Sequence, residues 1–364
     1  MATNETWTIK RALDWTRGYL GRKGDEHPRL STEWLLSAAT GLSRVELYVN
    51  FDKPLNPEEL ARLHTGIERR AKGEPLQYVT GEMPFRHIVL HCEPGVLIPR
   101  PETEVLVDCA LEGVDAAIAE GASRNSRADV LDAQGASAEC PQRESLQAPE
   151  EVGPAEAQGA QDASLPASNV PGEGSAAEEG TEPEEPVPDN GVRVLEVGVG
   201  TGCISLSIAS ERPGTHVVAT DLSPKAIELA GRNAAALGLE RVVELVECDL
   251  ASGVDPQLMG TFDVLVSNPP YIPTPVMRVI PDEVAHFEPH LALDGGPDGL
   301  DVFRRLLELA PRALRPGGMF CVELFEESLD AAAALVREQG GWASVEVVED
   351  LTHRPRVLVA VREA

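Results

Sequence analysis

The chain has 364 residues, 42% apolar and 25% charged, enough for two domains that each bury a core. Its longest apolar runs are strand-length, which excludes a membrane-spanning helix, and its start, Met1-Ala2-Thr3-Asn4-Glu5, lacks the pattern of a secretory signal. A net charge of −29 counts against a track on nucleic acid; six scattered cysteines read as reduced thiols, not as a disulfide frame or zinc site, so a soluble, cytoplasmic protein is expected.

Residues 1–80 read as a small bundle of short helices. Ser43-Arg44-Val45-Glu46 spells a capping box. Asn56-Pro57-Glu58-Glu59 supplies an N-cap, a proline at the first helical position and acidic residues in the first turn. Leu60, Leu63 and Ile67 then share one helical face. Residues 81–120 read as a β-hairpin and a linker helix. Ile88-Val89-Leu90 and Val96-Leu97-Ile98 are the expected strands, Glu93-Pro94-Gly95 the turn, and the helix runs from Glu102 to about Ala119.

Residues 121–190 differ in kind. They hold 15 Asp and Glu against 3 Arg, a net of −12, and no Phe, Tyr or Trp. Such a stretch buries too little apolar surface to offset the entropy of ordering, and is expected to be a disordered acidic insertion.

From 191 to 364, apolar strands alternate with helical patterns. The expected strands are Val192–Val197, His216–Asp221, Val242–Glu247, Phe262–Ser267, Met319–Leu324, Ser344–Val348 and Val357–Val361. Helices begin near Gly202, Ser223, Val302 and Ser328. This alternation implies an α/β fold, a mostly parallel sheet covered on both faces with ligand at the carboxyl ends of its strands.

The chemistry-bearing residues fall at those ends. Gly198-Val199-Gly200-Thr201-Gly202 lets the backbone turn tightly and approach a ligand at a helix N-terminus. Asp221 closes the second strand, where a carboxylate accepts ribose hydroxyls. Asp249 and Leu250 close the third, a polar and an apolar contact for an adenine. The fourth delivers Asn268-Pro269-Pro270-Tyr271. Two prolines stop the strand, but that does not account for Asn268 and Tyr271 flanking them at the ligand edge of the sheet.

The glycine-rich turn with Asp221 and Asp249 resembles the class I S-adenosylmethionine-dependent methyltransferases. The Asn-Pro-Pro-Tyr tetrapeptide is similar to that of enzymes methylating nitrogen conjugated to a planar system. Gly81-Glu82-Met83-Pro84-Phe85, Leu97-Ile98-Pro99-Arg100-Pro101-Glu102-Thr103-Glu104 and Glu288-Pro289-His290-Leu291-Ala292-Leu293-Asp294-Gly295-Gly296 resemble the HemK/PrmC protein-(glutamine-N5) methyltransferases. The resemblance covers about 1–120 and 191–364. It implies a Rossmann-like domain of seven strands, S-adenosylmethionine as methyl donor, an N-terminal domain that recognises substrate, and catalysis of N5-methylation on the Gly-Gly-Gln glutamine of class I peptide chain release factors. Gly198 to Gly202, Asp221, Asp249, Leu250 and Asn268 would hold the cofactor, and Asn268 to Tyr271 the substrate amide.

The chain departs from the family pattern in the acidic insertion, at Leu324-Phe325-Glu326-Glu327 and between Asp350 and Arg356. Two other substrates share the tetrapeptide chemistry, a nucleic-acid base and a ribosomal-protein glutamine. A non-catalytic scaffold whose acidic segment recruits a basic partner is the alternative of a different class. No metal, membrane or direct nucleic-acid contact is expected, and a monomer is. His290 and His353 read as structural or solvated, Asp294-Gly295-Gly296 as a turn, and Arg100 with Glu102 as either a cofactor lid or a plain hairpin-to-helix junction.

Overall fold

The first eighty residues fold around the caps written in their sequence. Thr8 caps α1 (Ile9–Arg22), and α2 (Pro28–Thr40) opens on its proline. Ser43 with Glu46 and Asn56 with Glu59 form reciprocal capping boxes on α3 (Arg44–Val49) and α4 (Pro57–Arg70). A one-turn α5 (Leu76–Thr80) follows. Leu63 and Ile67 of α4 join Ile9, Leu20, Leu36 and Leu47 in one core. Glu33 of α2 is buried. Burial pushes its carboxyl up, but bonds from Tyr48, Arg29 and Arg44 outweigh this and bring it down to about 2.

The computed structural model describes residues 6–135 and 189–364. The chain divides into two units, residues 1–122 with 187–364 and residues 123–186; the helical domain, the sheet and the site belong to the first.

The hairpin is not the one the sequence predicts. β1 (Glu82–Phe85) pairs antiparallel with β2 (Ile88–His91), Phe85 opposite Ile88, so the expected strand Ile88–Leu90 finds its partner upstream. The turn is Arg86-His87, with Arg86 at φ 49°, and Pro84 lies within β1. Neither residue pair signals a hairpin, whereas Glu93-Pro94-Gly95 does, and that stronger turn motif misleads. Val96–Ile98 instead run as irregular chain with Val96 and Ile98 buried.

The linker helix α6 (Thr103–Gly135) begins one residue after its expected start and continues past Ala119 into the stretch assigned to the insertion. Its Ala, Arg and Leu favour helix, and no proline interrupts before Pro141. The rest of the expected insertion, 136–188, lies outside the described residues.

The C-terminal domain contains β3 (Arg193–Val197), α7 (Cys203–Glu211), β4 (His216–Asp221), α8 (Pro224–Leu237), β5 (Val243–Glu247), β6 (Phe262–Ser267), α9 (Asp282–Phe287), α10 (Asp301–Ala313), β7 (Leu314–Glu323), α11 (Leu329–Gln339), β8 (Trp342–Glu349) and β9 (Pro355–Arg362). The sheet order is β5-β4-β3-β6-β7-β9-β8. Pairing is parallel from β5 to β7, and β9 runs antiparallel to both β7 and β8. Alternate residues serve opposite faces. Val194, Val264 and Val266 pack with Leu106 and Ala110 of α6 and Ile204 of α7. Leu195 and Leu265 pack with Phe303 and Leu306 of α10 and Leu329 of α11. The strand order reverses between β3 and β6, which opens a crevice at their carboxyl ends.

Candidate active site

Two cavities meet in that crevice. The larger, of 260 Å³, is lined by Gly198 and Gly200 after β3, Asp221, Leu222 and Ser223 after β4, Cys248, Asp249 and Leu250 after β5, and Asn268 and Pro270 after β6. Val96 and Leu97 and, from the chain following α9, Pro289, Leu291 and Ala292 complete its wall. The smaller, of 190 Å³, is lined by Arg100, Tyr271, Ile280, Pro281 and Val284. Leu97, Asn268 and Ala292 belong to both.

The glycine turn is built for close approach. Gly198 and Gly200 stand at φ 84° and 54°. A Cβ on Gly200 would meet no protein atom within 4 Å, so it would project into open space where the cavity lies. The amides of Gly198 and Val199 both donate to the Thr220 carbonyl, at 2.8 and 2.9 Å, which ties the turn to β4.

Asp221 lies where the two strand ends meet. Its Oδ2 accepts from the Gly200 amide at 3.0 Å and its Oδ1 from the Ser223 amide at 2.8 Å. Burial pushes its carboxyl up, partly offset by these backbone bonds. Each oxygen retains a lone pair for another donor. Leu222, 54% exposed although apolar, offers a flat wall beside it. At the rim, Asp249 accepts from Arg305 at 2.7 Å. Leu250 adopts φ 54°, and its carbonyl takes the Thr220 hydroxyl at 2.6 Å.

The tetrapeptide is held from three sides. Asn268 Nδ2 donates to Thr103 Oγ1 at 3.0 Å, and the Tyr271 hydroxyl donates to Glu323 Oε1 at 3.0 Å. Burial pushes both the Tyr271 phenol and the Glu323 carboxyl up. On the third side, the Ile272 amide donates to the Leu293 carbonyl and the Gly295 amide to the Ile272 carbonyl, both at 2.9 Å, around the Ile272–Asp294 bridge, and a Cβ on Gly295 would sit 2.7 Å from Tyr271 Cα and 2.8 Å from the Pro270 carbonyl. The Asp294-Gly295-Gly296 stretch is a turn, with Asp294 Oδ1 accepting from the Gly296 amide, and it buttresses the tetrapeptide.

The sequence-predicted residues therefore divide. Gly198, Gly200, Asp221, Asp249, Leu250, Asn268 and Pro270 converge on the larger cavity, and Tyr271 reaches the smaller. Val199, Thr201 and Pro269 are buried, and Gly202 starts α7 in the left-handed conformation; none of the four lines either cavity. Sequence reasoning missed Leu97, Leu222, Leu291 and Ala292, and also Thr103, Glu288 and Glu323. Within the first group only Leu222 carried a local signal, an apolar residue directly after the strand-end Asp221. Arg100, read as ambiguous, donates to the buried Glu288 at 2.6 Å.

A second tie comes from the helical domain. Arg70 of α4 pairs with Asp25 at 2.8 Å and with Glu283 of α9 at 3.0 Å, and the buried Tyr78 hydroxyl donates to the Val96 carbonyl at 2.7 Å. The two domains thus grip the chain that walls both cavities. Among the described residues no cluster of His, Cys, Asp and Glu could hold a metal ion, and no helix is long and apolar enough to cross a membrane.

Residues 11–81 match the family model for the PrmC N-terminal domain, and residues 188–352 match a methyltransferase domain. The release factor glutamine methyltransferase of Geobacter sulfurreducens is 41% identical over 320 residues, covering 88% of this chain and 85% of its own. Those of Rhodopirellula baltica and Moorella thermoacetica are 31% and 33% identical, covering 98% of this chain and 97% and 99% of their own. Among solved structures, a methyltransferase from Pyrococcus furiosus aligns at 23% identity and a TM-score of 0.35, over 49% of this chain and 78% of its own. The chain belongs to the family of release factor glutamine methyltransferases.

Proposed function

We propose that this protein transfers the methyl group of S-adenosylmethionine to the side-chain nitrogen of the glutamine in the Gly-Gly-Gln motif of a class I peptide chain release factor. The observation that carries the reading is Asn268 on the wall shared by the two cavities, where a donor pocket and an acceptor pocket meet. Bound S-adenosylmethionine supplies an electrophilic methyl on a sulfonium sulfur.

The residues of the larger cavity fit that group. Gly198 and Gly200 leave room that any side chain would fill, Asp221 has acceptor capacity for a ribose diol, and Leu222 and Leu250 flank an aromatic base. Thr201, Gly202 and Val199 act behind this surface by shaping the turn. Asp249, paired with Arg305, borders the same space.

The smaller cavity takes the glutamine side chain. An amide nitrogen is a poor nucleophile because its lone pair is delocalised. Asn268 Oδ1, on the shared wall, accepts one of its N–H bonds, aims the lone pair at the larger cavity and favours the positive charge that develops; the Pro269 carbonyl, whose residue lines neither cavity without substrate, would accept the other once the amide is seated. Pro270 and Tyr271 shape the slot around the planar amide. Both acceptors are neutral, so the site orients the nitrogen without a dedicated base. The helical domain, residues 1–80, presents the release factor, and a net charge of −29 disfavours nucleic acid as substrate.

Mass spectrometry of a Gly-Gly-Gln release-factor peptide, incubated with the protein and S-adenosylmethionine, tests the proposal. One methyl on the glutamine side chain is expected. Methyl transfer to DNA or RNA but not to the peptide would overturn it.

A further inference from the structure

Asn268 is useful only if its oxygen, not its NH2, faces the reacting amide. The two ends of a carboxamide are nearly the same size, so shape alone does not choose between them. The choice has to come from hydrogen-bond direction.

The neighbours supply that direction. Thr103, 1% exposed at the start of α6, accepts from Asn268 Nδ2 at 3.0 Å. A threonine hydroxyl can also donate, so Thr103 alone would tolerate either orientation of the amide. Glu323, 1% exposed at the end of β7, removes the ambiguity. As a carboxylate it accepts only: its Oε1 takes the Tyr271 hydroxyl at 3.0 Å, its Oε2 is buried with no hydrogen-bond partner and so calls for a donor, and the Thr103 hydroxyl is among the groups that counter the effect of burial on it. With the Thr103 proton drawn toward Glu323, the remaining lone pairs of Thr103 face Asn268 and admit only an N–H. Asn268 Oδ1 is then left for the acceptor side.

We infer that Thr103 and Glu323 are positioning residues, which lock the Asn268 carboxamide with Oδ1 toward the substrate nitrogen. The relay joins α6, β7 and the loop after β6, and Glu323 sets both Asn268 and Tyr271 from one carboxylate. The inference rests on the methyl-transfer reading of the tetrapeptide.

The test compares kcat, KM for the release-factor peptide and Kd for S-adenosylmethionine across four variants. Thr103→Val keeps the shape but removes the hydroxyl; kcat should fall about 10-fold, the worth of one lost hydrogen bond, with KM and Kd within about 3-fold of wild type. Thr103→Ser restores the hydroxyl and should recover most of kcat. Glu323→Gln, whose NH2 can donate to Thr103 and turn its proton toward Asn268, should lower kcat in the same way. In an Asn268→Ala background, Thr103→Val should cost nothing further, because its effect passes through that amide.

Wild-type kcat in Thr103→Val, or an equal loss in both backgrounds, would overturn the relay. So would failure of Thr103→Ser to recover activity while its thermal midpoint matches wild type. Absence of peptide methylation by the wild-type protein would instead overturn the reading beneath it.

Discussion

The Arg100 guanidinium meets the Glu288 carboxylate at 2.6 Å, and this pair joins the chain after the hairpin to the chain after α9. The Glu288 side chain is 1% exposed, that of Arg100 35%. Burial pushes the Glu288 carboxyl up and Arg100 holds it down. Leu97 on one side of the pair and Pro289, Leu291 and Ala292 on the other wall the larger cavity, so the pair sets its width.

Removing Arg100 strands a buried carboxylate, which costs far more than the intact pair contributes. Arg100→Ala is expected to weaken S-adenosylmethionine binding by about 10-fold or more, the scale of a charged hydrogen bond. Glu288→Gln in the same chain should restore part of the affinity by removing the orphaned charge. Calorimetry that gives Arg100→Ala wild-type affinity would show that the pair does not shape the cavity.

Gly295 is wedged between Tyr271 Cα, the Pro270 carbonyl and Gly299 Cα, all within 2.9 Å of where a Cβ would sit. Backbone on three sides cannot move aside cheaply, so Gly295→Ala displaces the tetrapeptide. A misplacement on the order of 1 Å costs about 10²-fold in rate. We expect that loss in kcat with a smaller change in cofactor affinity; an unchanged kcat would mean the turn yields elsewhere.

Much of this arrangement was legible from residue patterns. Every strand of the sheet falls on an apolar run of the sequence, and the strand-end residues Gly198, Asp221 and Asn268 follow from parallel α/β topology. What was not legible depended on contacts distant in sequence. Thr103 and Asn268 lie 165 residues apart, and Arg100 and Glu288 lie 188 apart, with no local signal to pair them. The hairpin was misread because Pro94-Gly95 is a stronger turn motif than Arg86-His87. A drop in apolar content does not by itself stop a helix, because Ala and Arg sustain one without burying it, and α6 runs past Ala119.

Asp221→Ala should raise the Kd for S-adenosylmethionine by about 10- to 150-fold, the range for a charge-assisted hydrogen bond of roughly 1.5–3 kcal/mol. The wild-type affinity also depends on pH. Burial raises the Asp221 carboxyl above its ordinary value, so protonation removes the acceptor at a higher pH than for a free aspartate. Affinity should therefore be flat near neutrality and fall on the acid side. Calorimetry showing the same acid-side loss in Asp221→Ala would assign it to another group.

The Glu196 carboxyl is shifted in the opposite direction to that of Glu33, and this gives a stability prediction. Fully buried on β3, it accepts from the Ser205 amide and hydroxyl, yet burial raises its carboxyl to about 8, from 4.5. Between those values the folded protein holds a proton that the unfolded chain has released, so stability falls as pH rises through this window. Glu196→Gln cannot titrate. Its stability relative to wild type should increase from about pH 5 to about pH 8 in urea denaturation. A difference constant across that range would place the carboxyl at its ordinary value.

The proposed role of Asn268 is to act on the reacting nitrogen rather than on the cofactor. The most direct measurement is kcat/KM for methylation of the release-factor glutamine by wild type and Asn268→Ala, alongside S-adenosylmethionine affinity. Loss of one transition-state hydrogen bond predicts a fall of about 10²-fold or more in kcat/KM. Cofactor affinity should change by no more than about 3-fold, since Gly198, Gly200 and Asp221 are untouched. A variant that methylates the glutamine at near wild-type rate would contradict the account.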